Sequence, residues 1–346
     1  MSPAGTADPP DAARTDDAAA PAAGMAAAQR QIVEAATHAP SVHNSQPWRF
    51  SCEADGLHLY ADETRRLTVL DPYGRLLHLS CGAALLHAQV AARALGLDAA
   101  AELLPDADDP SRLATLRLSA GSGPSSDEQA LADAIALRHT YRDAFDDQRL
   151  PETLLTRFRL AAEAQGARLR ALTEPDDLVE LAVLLSWADS IEEADPAYRR
   201  ELAAWVHTEL AEDGIPVAAL PDDPERGSSL RLRDFALSGP RSGGGEPPVA
   251  EHPDVVVILS DDDSPRSWLQ AGQAFGAVLL HAAHEGVMAQ PLAQVTDFPA
   301  VRLRLRQALS LAGMPQLALR LGYATGVAAT PRRSVDDVLG RPGQRD

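Results

Sequence analysis

The chain has 346 residues, of which 31 are basic and 50 acidic, so its net charge is −19 at neutral pH. That charge repels phosphate backbones and argues against nucleic acid as a partner. Every basic residue is an arginine. The absence of lysine excludes Schiff-base chemistry and a Walker-type phosphate loop, whereas arginine can still bind phosphate through its planar fork of donors.

The first 24 residues, MSPAGTADPPDAARTDDAAAPAAG, are rich in Ala, Pro and Asp and lack the basic start and apolar core of a signal peptide. We therefore predict a disordered tail over 1–24. Two cysteines, Cys52 and Cys81, are too few for a disulfide framework and suit a reducing compartment. No segment is apolar for long enough to span a bilayer, so we expect a cytoplasmic protein without a membrane partner.

The first structured unit is predicted to begin with a helix from Ala26, which ends before Pro40 because proline cannot continue a helix. WRFSCEA and LHLYAD alternate apolar and polar residues around Asp55-Gly56, a pattern typical of a hairpin. Three further elements are predicted: a long, largely apolar helix over 74–96 and strands near 100–105 and 114–119.

The Gly- and Ser-rich stretch GSGPSSD at 121–127 predicts a linker, and Ser126 is suited to cap the helix after it. A second unit therefore begins near residue 123. The segment 213–253, rich in Gly, Pro, Asp and Arg, is predicted to be either disordered or a functional lid. The other predicted elements are helices over 127–139, 152–165, 176–190, 196–212, 267–286 and 299–313 and strands over 254–260, 287–292 and 316–324. Long helices packed on sheet strands predict an α+β protein.

Polar and charged side chains that are suited to bind a ligand are concentrated in three stretches of the sequence. The loop APSVHNSQPWRF at 39–50 offers a hydroxyl, an imidazole and two carboxamides, more than a helix-to-strand connection requires. RHTYRDAF at 138–145 places two arginines and a hydroxyl at a helix end, where they suit either a phosphate or the helix dipole. TPRRSVDDVL near the C-terminus adds Arg332 and Arg333, which suit the same phosphate or a solvated tail.

His281 and His284 lie three residues apart on a predicted helix, with Glu285 next to them, and such spacing could serve a metal. The H-E-x-x-H order is absent and no third ligand follows nearby, so we expect no metal site. The sequence also lacks G-x-G-x-x-G, G-x-S-x-G and C-x-x-C, the usual sequence supports of Rossmann, hydrolase and thioredoxin chemistry.

The polar loop resembles the P-S-x-x-N-x-Q-P-W motif of the FMN-dependent nitroreductase superfamily, and RHTYRDAF resembles its R-x-S/T-x-R phosphate motif. Their order is the reverse of that in ordinary nitroreductases. It is similar to that of Acg-type FMN-binding oxidoreductases, in which one chain holds two degenerate nitroreductase halves and reproduces the usual homodimer internally. The resemblance covers roughly residues 26–340. It implies a nitroreductase-like α+β fold with halves at 25–122 and 123–346.

The resemblance also implies a single FMN site, because each half keeps the motif that the other lacks. The first half would line the flavin with Pro40, Ser41, His43 and Asn44. The second half would hold the phosphate with Arg138, Thr140 and Arg142, with Arg332 or Arg333 supplying further positive charge. Pro291, Leu292 and Ala293 would lie near the flavin N5 edge.

The implied activity is hydride transfer from NAD(P)H through FMN to a small acceptor such as a nitroaromatic or quinone. Two features leave a second hypothesis open, namely FMN storage or sequestration with little turnover. Ala293-Gln294 replaces the Glu-Gly pair of many nitroreductases, and the segment 213–253 is suited to cover the flavin. A helical scaffold with no cofactor would leave the polar loop and the arginines unexplained. Because the usual dimer is internal, we expect a monomer.

Overall fold

The computed structural model describes residues 16–209, 211–220, 230, 233, 235, 251–326 and 330–340. Within these ranges the helices are α1 (Asp16–Thr37), α2 (Arg75–Ala94), α3 (Ser126–Leu137), α4 (Glu152–Glu163), α5 (Pro175–Ala194), α6 (Pro196–Ala204), α7 (Pro265–His284), α8 (Gln294–Asp297), α9 (Pro299–Ala308) and α10 (Val335–Val338). The strands are β1 (Trp48–Glu53), β2 (Gly56–Ala61), β3 (Leu97–Leu103), β4 (Arg112–Ala120), β5 (Arg168–Leu172), β6 (Val206–His207), β7 (Ile215–Pro216), β8 (Asp254–Ser260), β9 (Val287–Pro291) and β10 (Met314–Tyr323).

The strands form two four-stranded antiparallel sheets, one on each side of the predicted boundary between the halves. The first sheet has the order β1-β2-β4-β3 and the second has the order β5-β8-β10-β9, while β6 and β7 add a short parallel pair. The α+β class predicted from the sequence is confirmed. Each sheet has its own long apolar helix, α2 in the first half and α7 in the second.

Helices α2 and α7 pack against each other and join the two halves. Two glycines allow their backbones to approach closely. A Cβ atom on Gly82 would lie 2.2 Å from the carbonyl oxygen of Leu269, and a Cβ atom on Gly272 would lie 2.1 Å from that of Leu79. Both helices are buried over most of their length, so this contact forms the centre of the hydrophobic core.

The C-terminal segment 330–340 returns to the first half. Leu339 forms a parallel bridge with Phe50 of β1, and the Gly340 amide donates to the Phe50 carbonyl oxygen at 2.8 Å. The segment thereby borders the first sheet and brings Arg332 next to the polar loop of the first half.

The structure corrects the prediction of a disordered tail over 1–24. Helix α1 begins at Asp16, so 16–24 is helical. Its alanines have high helix propensity and its first residues are acidic, which suits a helix N-terminus. Residues 1–15 lie outside the described residues. Of the predicted lid 213–253, the structure describes only 213–220, 230, 233, 235 and 251–253.

Two predicted boundaries are also wrong. Helix α3 is capped by Ser125 rather than Ser126, because the Ser125 hydroxyl accepts from the Glu128 amide and the Glu128 carboxylate accepts from the Ser125 amide. The helix predicted over 196–212 ends at Ala204, where the chain turns into β6 to pair with β7. Within the described ranges, no helix combines the length and apolarity that a bilayer-spanning segment needs.

Candidate functional site

A cavity between the two halves gathers most of the residues that the sequence singled out. It contains about 1060 Å³ of empty space, a figure that includes space open to solvent. Its walls come from both halves and from the C-terminal segment. They comprise Pro40, Ser41, Val42, His43, Asn44, Leu76, Leu79, Ser80, Arg138, Thr140, Arg142, Ile215, Arg233, Phe235, Phe275, Gln290, Pro291, Leu292, Ala293, Gln294, Leu317, Thr330 and Arg332.

All the predicted site residues line this cavity except Arg333. The Arg333 amide donates to Gln46 Oε1 at 2.9 Å, and its guanidinium donates to the carbonyl oxygens of Gln46 and Asp337 at 3.2 and 2.7 Å. Arg333 therefore fastens the C-terminal segment to the polar loop. Of the two adjacent arginines, only Arg332 faces the cavity.

The polar loop has a strained backbone. His43, Asn44 and Gln46 have φ values of 47, 54 and 50°, although none of them is glycine. The loop is closed by Ser41, whose Oγ accepts from the Gln46 amide at 2.9 Å. Left-handed non-glycine residues are uncommon and cluster at functional sites.

The two carboxamides of the loop bind neighbouring segments. Asn44 Nδ2 donates to the carbonyl oxygens of Gly214 at 2.9 Å and Pro331 at 3.1 Å. Gln46 Nε2 donates to the Glu212 carbonyl oxygen at 2.8 Å. Part of the polar content that suggested a ligand thus has a structural role, since it fastens two segments around the cavity.

Arg138 and Arg332 form a cationic end of the cavity. Arg138 is buried and its Nη2 donates to the His38 carbonyl oxygen at 3.2 Å, but its Nε and Nη1 have no partner among the described residues. Arg332 is half-buried, its Nη1 donates to Thr330 and Pro331, and its Nε has no partner in the described ranges. Within the described part of the chain, neither guanidinium forms an ion pair with a carboxylate.

Burial is the main cause of the low pKa values of these two groups. Burial lowers the pKa of Arg138 to about 9, with a further contribution from the charge of Arg332. Burial also lowers the pKa of Arg332 to about 10. Two guanidiniums with unused donors and without a carboxylate partner are suited to bind an anion.

Arg142 lies in another part of the cavity. Its guanidinium carbon is 5.4 Å from the centroid of the Phe235 ring, and its Nη1 donates to the Ala219 carbonyl oxygen at 3.3 Å. The pKa of His43 lies well below its usual value. Burial is the largest cause, followed by the charge of Arg233 and then by the charge of Arg142. The R-x-T-x-R motif therefore places its two arginines in different surroundings.

Arg233, which belongs to no recognisable sequence motif, supports the wall beside His43. Its side chain donates to Glu192 Oε1 at 2.8 Å and to Asp297 Oδ2 at 2.7 Å, and its Nη1 lies 3.3 Å from His43 Nε2. Burial alone would lower the pKa of Arg233, but Glu192, Tyr198 and Asp297 raise it above its ordinary value. Arg233 is therefore a buried, fully charged group.

The end of β9, with Pro291, Leu292 and Ala293, forms another wall of the cavity. The Leu292 amide donates to the Ala318 carbonyl oxygen of β10 at 2.8 Å, which fixes this wall to the second sheet. Gln290 in the same strand accepts a hydrogen bond of 2.6 Å from Arg320 Nε.

Arg320 also holds a wall of the cavity in place, and no sequence motif indicated it. It is fully buried in β10, pairs with Glu251 at 3.0 Å and donates to the Asp143 carbonyl oxygen at 2.7 Å. Because Asp143 directly follows Arg142, this contact connects the arginine motif to the sheet that carries the β9 wall.

No known protein-family profile matches the sequence. Two relatives come from Mycobacterium tuberculosis. "Putative NAD(P)H nitroreductase acg" is 32% identical over 315 residues, which cover 90% of this chain and 94% of that protein. "Putative NAD(P)H nitroreductase Rv3131" is 30% identical over 319 residues, which cover 90% and 91%.

Among solved structures, the FMN and NADPH-dependent nitroreductase NfnB from sphigopyxis sp. strain HMH is similar to this chain with a TM-score of 0.41 and 18% identity, over 62% of this chain and 99% of that one. The relatives from Mycobacterium tuberculosis match almost end to end, as the order of the two motifs predicted. The chain belongs to the acg family of nitroreductase-like proteins.

Proposed function

We propose that the protein is an FMN-dependent oxidoreductase that passes electrons from NAD(P)H to a small acceptor such as a nitroaromatic or a quinone. Its relatives carry the name NAD(P)H nitroreductase. The observation that carries the proposal is the pair Arg138 and Arg332, whose unused donors lie at one end of a large cavity. We propose that a ligand with one phosphate and a planar ring occupies this cavity.

The donors at the cationic end suit a phosphate monoester. Arg138 offers Nε and Nη1, Arg332 offers Nε, and the hydroxyl-bearing Thr140 lines the same cavity. Arg142 is proposed to act on the ring rather than on the phosphate, because it lies beside His43 and Phe235. The cationic end suits the single phosphate of FMN, so we propose FMN as the cofactor.

FMN would supply the two-electron chemistry when bound, and the chain would orient it and shield it from water. Leu79, Phe275 and Leu292 provide apolar surface for the ring. His43 is uncharged at neutral pH because burial lowers its pKa, so it does not supply a readily lost proton. The chain would thus act by binding and hydrogen bonding, without an acid or base side chain.

FMN storage or sequestration remains the alternative function, and one observation favours it. Arg233 and Phe235, both from the segment 213–253, line the cavity, and the Phe235 ring stands over the Arg142 guanidinium. Such cover would slow the approach of a nicotinamide.

Anaerobic addition of NADPH or NADH to the FMN-loaded protein should bleach the long-wavelength flavin band. Chemical reduction and reoxidation of the same sample provide the control for an intact flavin. If neither nicotinamide reduces a flavin that dithionite reduces, even in a Phe235→Ala variant, turnover with these donors is excluded and sequestration takes its place.

The stoichiometry follows from the same geometry, because the two motifs and the C-terminal segment meet at one cavity. We propose one FMN per chain, bound jointly by the halves 25–122 and 123–346, in a monomeric cytoplasmic protein. FMN released by denaturation and quantified against protein concentration should give a ratio near one, and light scattering should give the monomer mass. Two flavins per chain would contradict the proposal.

The adjacent arginines offer a matched pair of variants. Arg332→Ala should weaken FMN binding about 10-fold or more by removing a charge-assisted hydrogen bond, and should change riboflavin binding less. Arg333→Ala should affect FMN and riboflavin equally, because Arg333 contacts the loop and not the cavity. Titration of the apoprotein by fluorescence quenching measures both. Phosphate-selective loss in Arg333→Ala would reverse the assignment.

A further inference from the structure

The ring nitrogen Nδ1 of His43 forms no hydrogen bond with the part of the chain that the structure describes. Its side chain is 6% exposed and lines the cavity, and its buried Nδ1 has no hydrogen-bond partner among the described residues. The ring is held in place by the left-handed backbone of the loop and by the edge of Phe235, whose ring centroid is 5.9 Å away at an interplanar angle of 81°. A buried polar atom without a partner is costly unless a ligand satisfies it.

Arg233 decides which ring nitrogen carries the proton. A guanidinium can only donate, so Arg233 Nη1 at 3.3 Å requires a lone pair on His43 Nε2. A neutral imidazole with a lone pair on Nε2 carries its hydrogen on Nδ1. The His43 ring is neutral because burial and the charges of Arg233 and Arg142 lower its pKa.

Arg233 is itself fixed by two carboxylates from different helices. Glu192 in α5 accepts from both Nε and Nη2, and Asp297 in α8 accepts from Nη2 at 2.7 Å. The guanidinium cannot turn away from His43 without breaking these buried ion pairs, and breaking a buried ion pair is strongly unfavourable. Glu192 and Asp297, which do not line the cavity, therefore fix the guanidinium that donates to His43.

We propose that Arg233 locks His43 as the Nδ1–H tautomer and that this N–H donates to an oxygen on the planar molecule bound in the cavity. The site would accept a carbonyl or nitro oxygen at this position and reject an N–H or ammonium group. The inference rests on the proposed function for the identity of the ligand. The oxygen belongs either to the cofactor ring or to the electron acceptor, two sources that share one chemistry.

The tautomer is directly measurable in the full-length protein. In a sample with 15N-labelled histidine, two-bond proton–nitrogen correlations distinguish Nδ1–H from Nε2–H, and the His43 signals are those lost in His43→Asn. We expect a neutral ring with its proton on Nδ1. A ring protonated on Nε2, with or without bound flavin, would overturn the proposal.

The positioning role of Arg233 has its own readout. In Arg233→Gln, the amide can donate or accept, so both His43 tautomers should be populated while the backbone amide spectrum stays that of a folded protein. Persistence of a single Nδ1–H tautomer in a folded Arg233→Gln variant would show that Arg233 does not set it.

Asn and Asp at position 43 test the donor itself. Both residues tolerate positive φ, but only Asn keeps an N–H donor. His43→Asp should weaken the binding of FMN or of the acceptor about three- to ten-fold more than His43→Asn does, which is the range expected for one hydrogen bond. A larger FMN dissociation constant would assign the oxygen to the cofactor. An increased KM for menadione with unchanged FMN binding would assign it to the acceptor.

Equal FMN affinities and equal menadione KM values in the two variants would overturn the donor proposal. Failure of the wild-type protein to bind FMN would instead end the proposed function. The two failures are therefore distinguishable, because the tautomer measurement needs no ligand.

Discussion

Replacing Arg138 by methionine should cost FMN binding about 10- to 150-fold, which corresponds to about 1.5–3 kcal/mol for a charge-assisted hydrogen bond, and should leave the apoprotein at least as stable as the wild type. The two effects have opposite signs because the Arg138 guanidinium is buried with two unused donors and no carboxylate partner among the described residues. Without a bound phosphate such a charge opposes folding.

Arg320→Met is the matched control. Arg320 is also buried, but its charge is balanced by Glu251 and its other donors reach Gln290 and the Asp143 carbonyl oxygen. Removing the guanidinium that neutralises a buried carboxylate should destabilise the protein by roughly 3–5 kcal/mol. Both variants lose one arginine, so the comparison isolates the effect of pairing.

Chemical denaturation of both apoproteins and titration with FMN and riboflavin provide the measurements. We expect Arg138→Met to discriminate against the phosphate-bearing ligand and to retain its midpoint of unfolding. Equal losses of FMN and riboflavin, or a destabilisation as large as that of Arg320→Met, would assign Arg138 to the fold rather than to an anion.

The parts of the fold that the sequence predicted depend on local patterns. Helices α2 and α7 are apolar around most of their circumference, and this pattern indicates burial whatever the partner. The polar loop and the arginine motif are short sequence motifs with a fixed spacing, so their residues could be named before their distance in space was known. The order of the two motifs indicated the family, and family membership is confirmed.

Arg233 and Arg320, which hold the walls of the cavity in place, could not be predicted because their partners are remote in the chain. Arg233 contacts residues 41, 64 and 190 positions away. Arg320 contacts Glu251, 69 positions away. Each is one arginine among 31, and no local spacing separates it from the exposed ones. Strand β5 was missed for a related reason, since its sequence RLRAL has alternate arginines and acquires its pairing only from β8.

The role of the glycines at the contact between α2 and α7 could not be predicted from the sequence either. Gly82 and Gly272 lie inside helical patterns, where glycine is normally only unfavourable. The structure shows that each lies against a backbone carbonyl of the other helix. The sequence therefore predicted two buried helices but not the interface between the halves.

Gly272→Ala should disrupt both folding and ligand binding. Its Cβ atom would lie 2.1 Å from the Leu79 carbonyl oxygen, so α2 and α7 must separate to admit a single methyl group. Such overpacking costs about 1–3 kcal/mol, and here the obstacle is backbone on a rigid helix. Leu79 also lines the cavity, so separation moves the wall that would face the flavin ring.

Gly276→Ala, one turn further along α7, is the control for helix propensity and added volume. There the nearest atom to the new methyl is Leu86 Cδ2 at 3.0 Å, the end of a side chain that can rotate. Alanine favours a helix over glycine by about 1 kcal/mol at both positions, so only the backbone contact differs between the two variants.

We therefore expect the Gly276→Ala protein to stay close to the wild type in unfolding midpoint and in FMN affinity, and the Gly272→Ala protein to lose both. Pieces covering 25–122 and 123–346, expressed separately, should likewise fail to hold FMN, because each would expose the apolar face of its long helix and carry only part of the cavity wall. Wild-type FMN affinity in Gly272→Ala, or tight binding by either piece, would show that the cavity does not depend on the joining of the two halves.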